Sequence, residues 1–432
     1  MNAPLLYPSR TRREVAIREL IPGKAAWIAG RLQPSKEGGF ILADATGALP
    51  LVLEEKVSFS GGDLVEVRGV LDPSGGFTVS EGRTLCSGRT APPPGSPNEA
   101  LWRMPRDLFD RRRKMKDALR SFFIAQEFIE VESPCLVRAP GQEPHLDPFR
   151  TGLDDGKGGQ EMFLITSPEY FHKRLLAAGF EKIFEVARVF RNGPSEMAGL
   201  HNNEFFMVEW YRAFASYLEI MEDTEGLVHA LAKEARHGTI ELFEPPFERL
   251  SMRDAFHRFA GVDLEPFLRH DPAFALAAAA NGDHGIMPGD SLNQRFFKIF
   301  IGAVEPELGR PRPVFLIDFP AAHASLSKIR EDQPDVCERF ELYIQGVELA
   351  NGFTELNDPE EQRKRFEAEE RERAERGGDP VPQDEYFMEA LHLGMPPSGG
   401  VALGLDRLFM VLHGQEDISS ALPFVHETGV RS

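Results

Sequence analysis

EKIFEVARVFRNGPSEMAGLHNNEFFMVEWY, residues 181–211, decides the reading of this chain. The runs EKIFEVARVFR and NEFFMVEWY have strand period and are joined by the polar loop NGPSEMAGLHN. Successive strand side chains point to opposite faces, so Glu209 and Tyr211 share a face with Phe205 and Met207, and Arg191 shares one with Val189 and Ala187. An arginine closing one strand, with a glutamate facing back from the other, reads by itself as a structural ion pair.

Two further stretches lie toward the C-terminus. In ERFELYIQGVELANGFTEL (338–356) a turn at Gln345-Gly346 pairs Ile344 with Val347 and Tyr343 with Glu348. Glu341 then shares the face of Tyr343 and lies diagonal to Glu348, with Asn351 and Glu355 just beyond. Two carboxylates on one face of an apolar hairpin repel each other unless a cation lies between them. An all-oxygen donor pair favours Mg²⁺, which keeps several waters and also holds phosphates. In SGGVALGLDRLFMV (398–411) two glycines, a strand of small residues and Gly404 lead to Asp406-Arg407 at the start of an apolar helix. That junction permits close backbone approach to a flat ligand, with an arginine placed above it.

Toward the N-terminus, residues 106–127 set Leu108, Met115, Leu119, Phe122 and Phe123 at helical spacing, and FIEVESPCLV then takes strand period as far as Pro134. Further helices are expected from Pro168 to Gly179 and from Ser216 to Ala235. The charged segment PEEQRKRFEAEERERAERG (359–377) reads as a helix forming a solvated arm.

Residues 87–99, SGRTAPPPGSPNE, form a proline-rich linker. Before it, five short alternating segments between residues 25 and 81, separated by Gly-Gly and Asp-Pro-Ser-Gly, read as a small all-β barrel of the OB type. Such barrels bind single strands through aromatic and basic groups, for which Trp27, Phe40, Phe77, Arg31 and Arg68 are the thin candidates here. The expected division is therefore 1–86 (OB-like, for a nucleic acid or other partner), 87–99 (linker) and 100–432 (catalytic).

Charge and composition bound the function. The 432 residues carry 49 Lys+Arg and 68 Asp+Glu, a net charge of −19, which disfavours a protein devoted to gripping duplex phosphates. The first hundred residues balance eleven basic against eleven acidic side chains, so the deficit falls on the remainder. Arg103 to Arg120, with eight basic and three acidic residues, is the local exception and reads as a solvated helix face. The three cysteines are scattered, with Cys135 expected in the core. They exclude a disulfide framework and suit a reducing cytoplasm. No stretch has the roughly 18 apolar residues of a membrane span, and the N-terminus lacks the apolar segment of a signal peptide. The 12 histidines show no metal-like pairing.

Taken together, the stretches resemble the three signature motifs of the class II aminoacyl-tRNA synthetases, in order: FIEVESP (128–134), FRN…HNNEFFMVEWY (190–211) and GVALGLDRL (400–408), with TSPEYFHKRLL (166–176) between the first two. The resemblance covers about 100–424. Within that class the chain is most similar to the lysyl branch, and inside it to the elongation factor P lysine lysyltransferases, on GVELANGFTELNDPEEQRKRF (346–366), FPAAHASLSKI (319–329) and LGMPPSGGVALGLDRL (393–408). Ala350 and Ala402 stand where lysyl-tRNA synthetases usually carry glycine. In the lysyltransferase family the Ala402 position goes with a preference for (R)-β-lysine.

The resemblance implies an α+β fold, with an antiparallel sheet flanked by helices and preceded by the OB-like barrel, and a homodimer formed through motif 1. It implies ATP-dependent activation of lysine or (R)-β-lysine as an adenylate, then transfer to a lysine side chain of elongation factor P. Two alternatives stand beside it: a compact lysyl-tRNA synthetase acting on tRNA, and a non-catalytic paralogue serving as an RNA-binding regulator. By resemblance, Arg191 and Arg407 bracket the ATP phosphates as catalytic residues. Asn202, Glu348, Leu349 and Gly404 line the ATP site, and Glu341 and Glu348 hold Mg²⁺. Ser167 and Glu169 meet the carboxylate and amine end of the amino acid, Glu209, Tyr211 and Glu355 surround its ε-ammonium, and Asn351 and Ala402 complete the pocket. Departures cluster in motif 2, where Gly193 replaces an expected glutamate, the loop to His201 is two residues longer, Asn203 replaces a proline, and Glu196 is the candidate substitute acid.

Overall fold

The structure is a computed structural model that describes residues 11–35, 38–54, 57–88, 105, 107–154, 156, 158–193, 199–235, 240–269, 271, 274, 285–287, 289–422 and 424. Most of the expected linker, and Glu196, lie outside the described residues. The chain divides into two compact units, Met1–Arg111 and Arg112–Ser432.

In the first unit, β1 (Ala25–Pro34), β2 (Phe40–Asp44), β3 (Gly47–Leu53), β4 (Leu64–Leu71) and β5 (Phe77–Cys86) close into a barrel in the order β1-β2-β3-β5-β4. Alternation along β1 sends Ile28 and Leu32 inward to meet Leu42, Val65, Val67, Phe77 and Val79. Closure removes the sheet edges. Phe77 is fully buried and Phe40 packs against the same core, so neither offers a stacking face. Of the remaining candidates, Trp27 lies under the Arg12 guanidinium, Arg68 pairs with Glu81, and Arg31 donates to the Gly62 carbonyl.

The second unit is built on eight strands: β6 (Ile129–Glu130), β10 (Lys182–Phe190), β11 (Glu204–Ala213), β12 (Glu248–Ser251), β13 (Val314–Pro320), β14 (Val336–Ile344), β15 (Val347–Thr354) and β16 (Ser398–Gly404). Their order is β12-β13-β14-β15-β16-β11-β10-β6, antiparallel except for the outermost pair at each edge. A smaller sheet joins β7 (Leu136–Val137), β9 (Gln160–Leu164) and β8 (Arg150–Leu153). The main helices are α1 (Leu108–Ala125), α2 (Glu169–Ala177), α3 (Tyr217–Glu234), α4 (Leu292–Ile299), α5 (Pro359–Glu375), α6 (Glu385–Gly394) and α7 (Leu405–Leu412). The expected α+β fold is present. Among the described residues no helix is long and apolar enough to cross a membrane.

On one face of the sheet, Phe184 and Trp210 pack against Phe123 of α1, with ring centroids 4.6 and 5.2 Å away. The alternate residues of β11 therefore face the other way, which is where the site lies. Four expectations need correction. The motif 1 strand is only two residues long, because beyond the Val131 N–H bond to Phe184 the next amide, of Ser133, goes to the Glu185 carboxylate rather than to a carbonyl. Cys135 is exposed, while Val137 and Ile165 fill the core beside it. The charged helix α5 is not a solvated arm, since Gln362, Phe366 and Arg373 are buried and Arg365, Ala368, Glu369 and Glu372 line the site. The basic stretch is not wholly a solvated face either: Arg112 is buried and Lys116 lies over the Phe206 ring.

Candidate active site

A cavity of about 720 Å³ opens over β15, β16 and β11. Directly opposite residues on neighbouring strands project from the same face, so the register decides what meets there. Glu209 stands opposite Ala402, Ala402 opposite Asn351, and Asn351 opposite Glu341. The next row runs Tyr211, Gly400, Phe353, Arg339. A strand advances about 3.4 Å per residue, so the stretch from Phe205 to Tyr211 spans about 20 Å and separates two chemically different ends.

At the first end the groups are cationic. Arg191 follows β10, with its backbone tied to Asn203 in both directions, and its guanidinium lies 5.3 Å from the Phe205 ring. Its Nε is buried with no hydrogen-bond partner among the described residues, and Arg191 lines the cavity. Arg407, on the first turn of α7, donates to the carbonyls of Leu200 (3.2 Å) and Glu348 (3.0 Å), and its Nη2 lies 2.6 Å from His201 Nε2. Asn202, Leu349, Gly404 and Glu348 line the same cavity. Asn202 donates to the Glu204 carbonyl, which closes the loop entering β11.

The other end is anionic. Glu209 is fully buried and accepts from Ser167 Oγ (2.5 Å) and the Tyr211 hydroxyl (3.0 Å). Ser167 Oγ in turn accepts the Glu169 N–H at 3.1 Å, so Ser167 ties the start of α2 to Glu209. Across the sheet Glu209 faces another carboxylate, Glu185, an arrangement that like charges disfavour. His172 resolves it, with Nε2 2.9 Å from Glu185 and Nδ1 3.6 Å from Glu209. Burial opposes the charged ring, but the hydrogen bond to Glu185 and the nearby Glu209 carboxylate push its pKa up. Glu355 is one of two predicted residues that do not line the cavity directly; its Oε2 lies 2.6 Å from Lys173 Nζ, and both side chains are fully buried. Burial, and repulsion from Glu169, push Glu355 up to about 8, with Lys173 acting to hold it down.

The hairpin turns at Gln345-Gly346 with Tyr343 opposite Glu348, as its sequence implies. A bulge at Leu349 then carries Glu341 opposite Asn351 instead of diagonal to Glu348. Glu341 lies off the cavity lining, bonded by Arg339 (2.8 Å) and the Tyr343 hydroxyl (2.7 Å). Burial and the Glu348 charge push it up to about 7. Among the described residues no three carboxylate, imidazole or thiol groups converge as metal ligands.

Sequence reasoning missed several residues: Lys173, His172, Gly400, His201, Arg339, and the outer acids Glu143, Glu369 and Glu372 of the lining. The signal for Lys173 was the Glu169–Lys173 spacing on one helix face. The signal for Gly400 was the Gly399-Gly400 pair in the strand; in the structure a side chain there would meet Glu355 Oε1 and Tyr211 Cε1.

Residues 103–428 match the family model of tRNA synthetases class II (D, K and N). The chain is also similar to the elongation factor P–(R)-beta-lysine ligase of Salmonella arizonae, 39% identical over 322 residues that cover 73% of this chain and 93% of that one. The protein of the same name from Erwinia tasmaniensis is 37% identical over 317 residues, with the same coverage. Motifs, sheet and matched span agree: the chain belongs to the class II tRNA synthetases of the D, K and N group.

Proposed function

We propose that this protein is an ATP-dependent ligase that activates lysine or (R)-β-lysine and transfers it to a lysine side chain of elongation factor P. The observation that carries the reading is a single cavity with guanidinium groups at one end and buried carboxylates at the other. ATP phosphates fit the first end, where the buried Arg191 Nε lacks a partner. Ammonium groups fit the second, where a buried cation needs carboxylate partners. The names of the curated relatives supply the acceptor.

In the first step a substrate carboxylate oxygen attacks the α-phosphorus, the bond to pyrophosphate breaks, and pyrophosphate leaves. The protein supplies no nucleophile. Arg191 and Arg407 stabilise charge developing on the phosphoryl oxygens, while the anionic end fixes the amino acid so that its carboxylate reaches toward them. In the second step an acceptor amine attacks the acyl carbon, an amide forms and AMP leaves. Glu341 and Glu348 fit Mg²⁺ by donor type, as two oxygen ligands whose mutual repulsion a cation relieves. When bound, that ion neutralises phosphate charge.

Ala402 supports the β-lysine preference. It stands between Glu209 and Asn351 in the register, so its methyl occupies the floor under the amino acid. The exposed apolar side chains of Ile124, Ile129 and Leu136 around motif 1 support a homodimer. The absence of a membrane-crossing helix among the described residues and the bacterial relatives support work in the cytoplasm. A second reading, transfer to tRNA, rests on the N-terminal closed barrel.

The test is amino-acid-dependent ATP–pyrophosphate exchange with α-lysine, (R)-β-lysine and the other standard amino acids, on wild type and Arg407→Ala, followed by transfer to elongation factor P or to tRNA. Exchange with a lysine that disappears in the variant, and label on elongation factor P, is the expected result. Label on tRNA alone selects the second reading, and no exchange with any amino acid overturns both.

A further inference from the structure

The anionic end holds more acid than its known partners account for. Glu169 and Lys173 occupy α2, Glu209 and Tyr211 occupy β11, Glu355 follows β15, and Glu143 precedes β8. The charges of Glu143 and Glu209 both bear on Glu169, and those of Glu169 and Glu209 on Glu355. His172 is committed to Glu185 and Glu209. Among the described residues one ammonium, that of Lys173, faces Glu169 and Glu355 together.

The geometry of that ammonium is specific. Nζ lies 2.6 Å from Glu169 Oε1 and 2.6 Å from Glu355 Oε2, with the Lys173 side chain fully buried. The rings of Phe353 and Phe387 flank it at 5.4 and 5.7 Å. Lys173 thus engages one oxygen of each carboxylate. Glu355 Oε1 is left buried without a hydrogen-bond partner, close to the Gly400 backbone, and Gly400 and Glu169 both line the cavity.

We propose that Lys173 is a positioning residue of the amino-acid pocket: held between Glu169 and Glu355, it favours the ionised form of both carboxylates and turns Glu169, on the cavity wall, so that its second oxygen is left for an ammonium group of the substrate. The inference rests on the amino-acid-activating role proposed above. A purely structural cluster would be replaceable as a whole by well-packed apolar side chains, since a buried ion pair is weak evidence for stability. A positioning lysine is not, because without it the two buried acids hold their protons to still higher pH and the substrate ammonium meets neutral carboxyls.

The experiment is the pH dependence of ATP–pyrophosphate exchange for wild type, Lys173→Met and Lys173→Arg, with KM for lysine, (R)-β-lysine and ATP measured separately. In K173M the acidic limb of kcat/KM for the amino acid should move up by about one pH unit or more, the lower end of what an adjacent opposite charge does to a carboxylate. Near neutral pH that raises the amino-acid KM about tenfold, while the ATP KM stays unchanged. K173R, which keeps the charge, should restore the wild-type limb. A folded K173M with an unshifted limb and an unchanged amino-acid KM overturns the proposal. Should K173M fail to fold, K173M/E355Q takes its place and is compared with E355Q alone, which removes the same acid; the limb set by Glu169 must lie higher in the double variant, and coincident limbs overturn the proposal. Loss of exchange in the wild type itself would instead overturn the functional reading, so the two failures are distinguishable.

Discussion

The Asp406 carboxylate and the Arg112 guanidinium meet at 2.6 Å although 294 residues separate them in the chain. Both side chains are buried. The other oxygen of Asp406 accepts the Phe206 N–H at 2.8 Å, and Arg112 also donates to the Ala421 carbonyl. This bond pins the start of α7 against β11 and α1, which fixes where the neighbouring Arg407 projects. Asp406→Asn should destabilise the protein by about 3–5 kcal/mol, because a buried cation loses its partner. Denaturant unfolding measures this. The double variant R112M/D406N should recover most of the loss, and a double-mutant cycle with no coupling would refute the pairing.

Gly400 and Gly404 lie on the same strand but should respond differently to alanine. A Cβ at Gly400 would sit 2.3 Å from both Glu355 Oε1 and Tyr211 Cε1, whereas one at Gly404 meets nothing nearer than 3.7 Å. Gly400→Ala should therefore cost about 1–3 kcal/mol by overpacking and abolish amino-acid binding. Gly404→Ala should leave the melting temperature near wild type. Calorimetry on the two variants decides it, and equal losses would contradict the packing described.

Arg191→Lys keeps the charge but not the planar fork or the stacking on Phe205. Exchange kcat should fall by about 10²–10³-fold, the cost of removing one preorganised transition-state donor. Circular dichroism should be unchanged. A variant retaining near-wild-type kcat would show that Arg191 acts as a point charge only.

Glu369 lines the cavity with a single long hydrogen bond, 3.5 Å from Ser325 Oγ. Burial, then the charges of Glu143 and Glu169, push its carboxyl up to about 8. A carboxyl raised on folding favours the native state while protonated, so its contribution is fully present below about 4.5 and is lost as the pH rises through about 8. Glu369→Gln should therefore melt above wild type at pH 8 and close to it at pH 4.5. A thermal-shift series across that window checks the sign.

Much of the site was legible because strand alternation is a local property. From residues 204–213 alone, Phe205, Met207, Glu209 and Tyr211 fall on one face, and all four line the cavity. The hairpin turn and its first two pairs were equally legible, since Gln345-Gly346 fixes them. The bulge at Leu349 was not, because an extra residue in one strand leaves no mark in the apolar pattern. The helix α5 misled for a related reason: its charges are so dense that the buried Phe366 and Arg373 are invisible until the loop carrying Glu143 and Leu146 accepts Arg373.

The sequence by itself determined the class of the fold and which residue types alternate onto the cavity face of β11, because periodicity, turn residues and side-chain type act over a few residues. Tertiary structure decided which charges meet. Glu209 faces Glu185 only through the register of β10 and β11, and His172 reaches both only because α2 packs there. Lys173 lies between Glu169 and Glu355, and Arg112 against Asp406, across separations that no local pattern encodes. Burial sets the strength of those contacts, since a pair of charges withdrawn from water interacts far more strongly than the same pair on the surface.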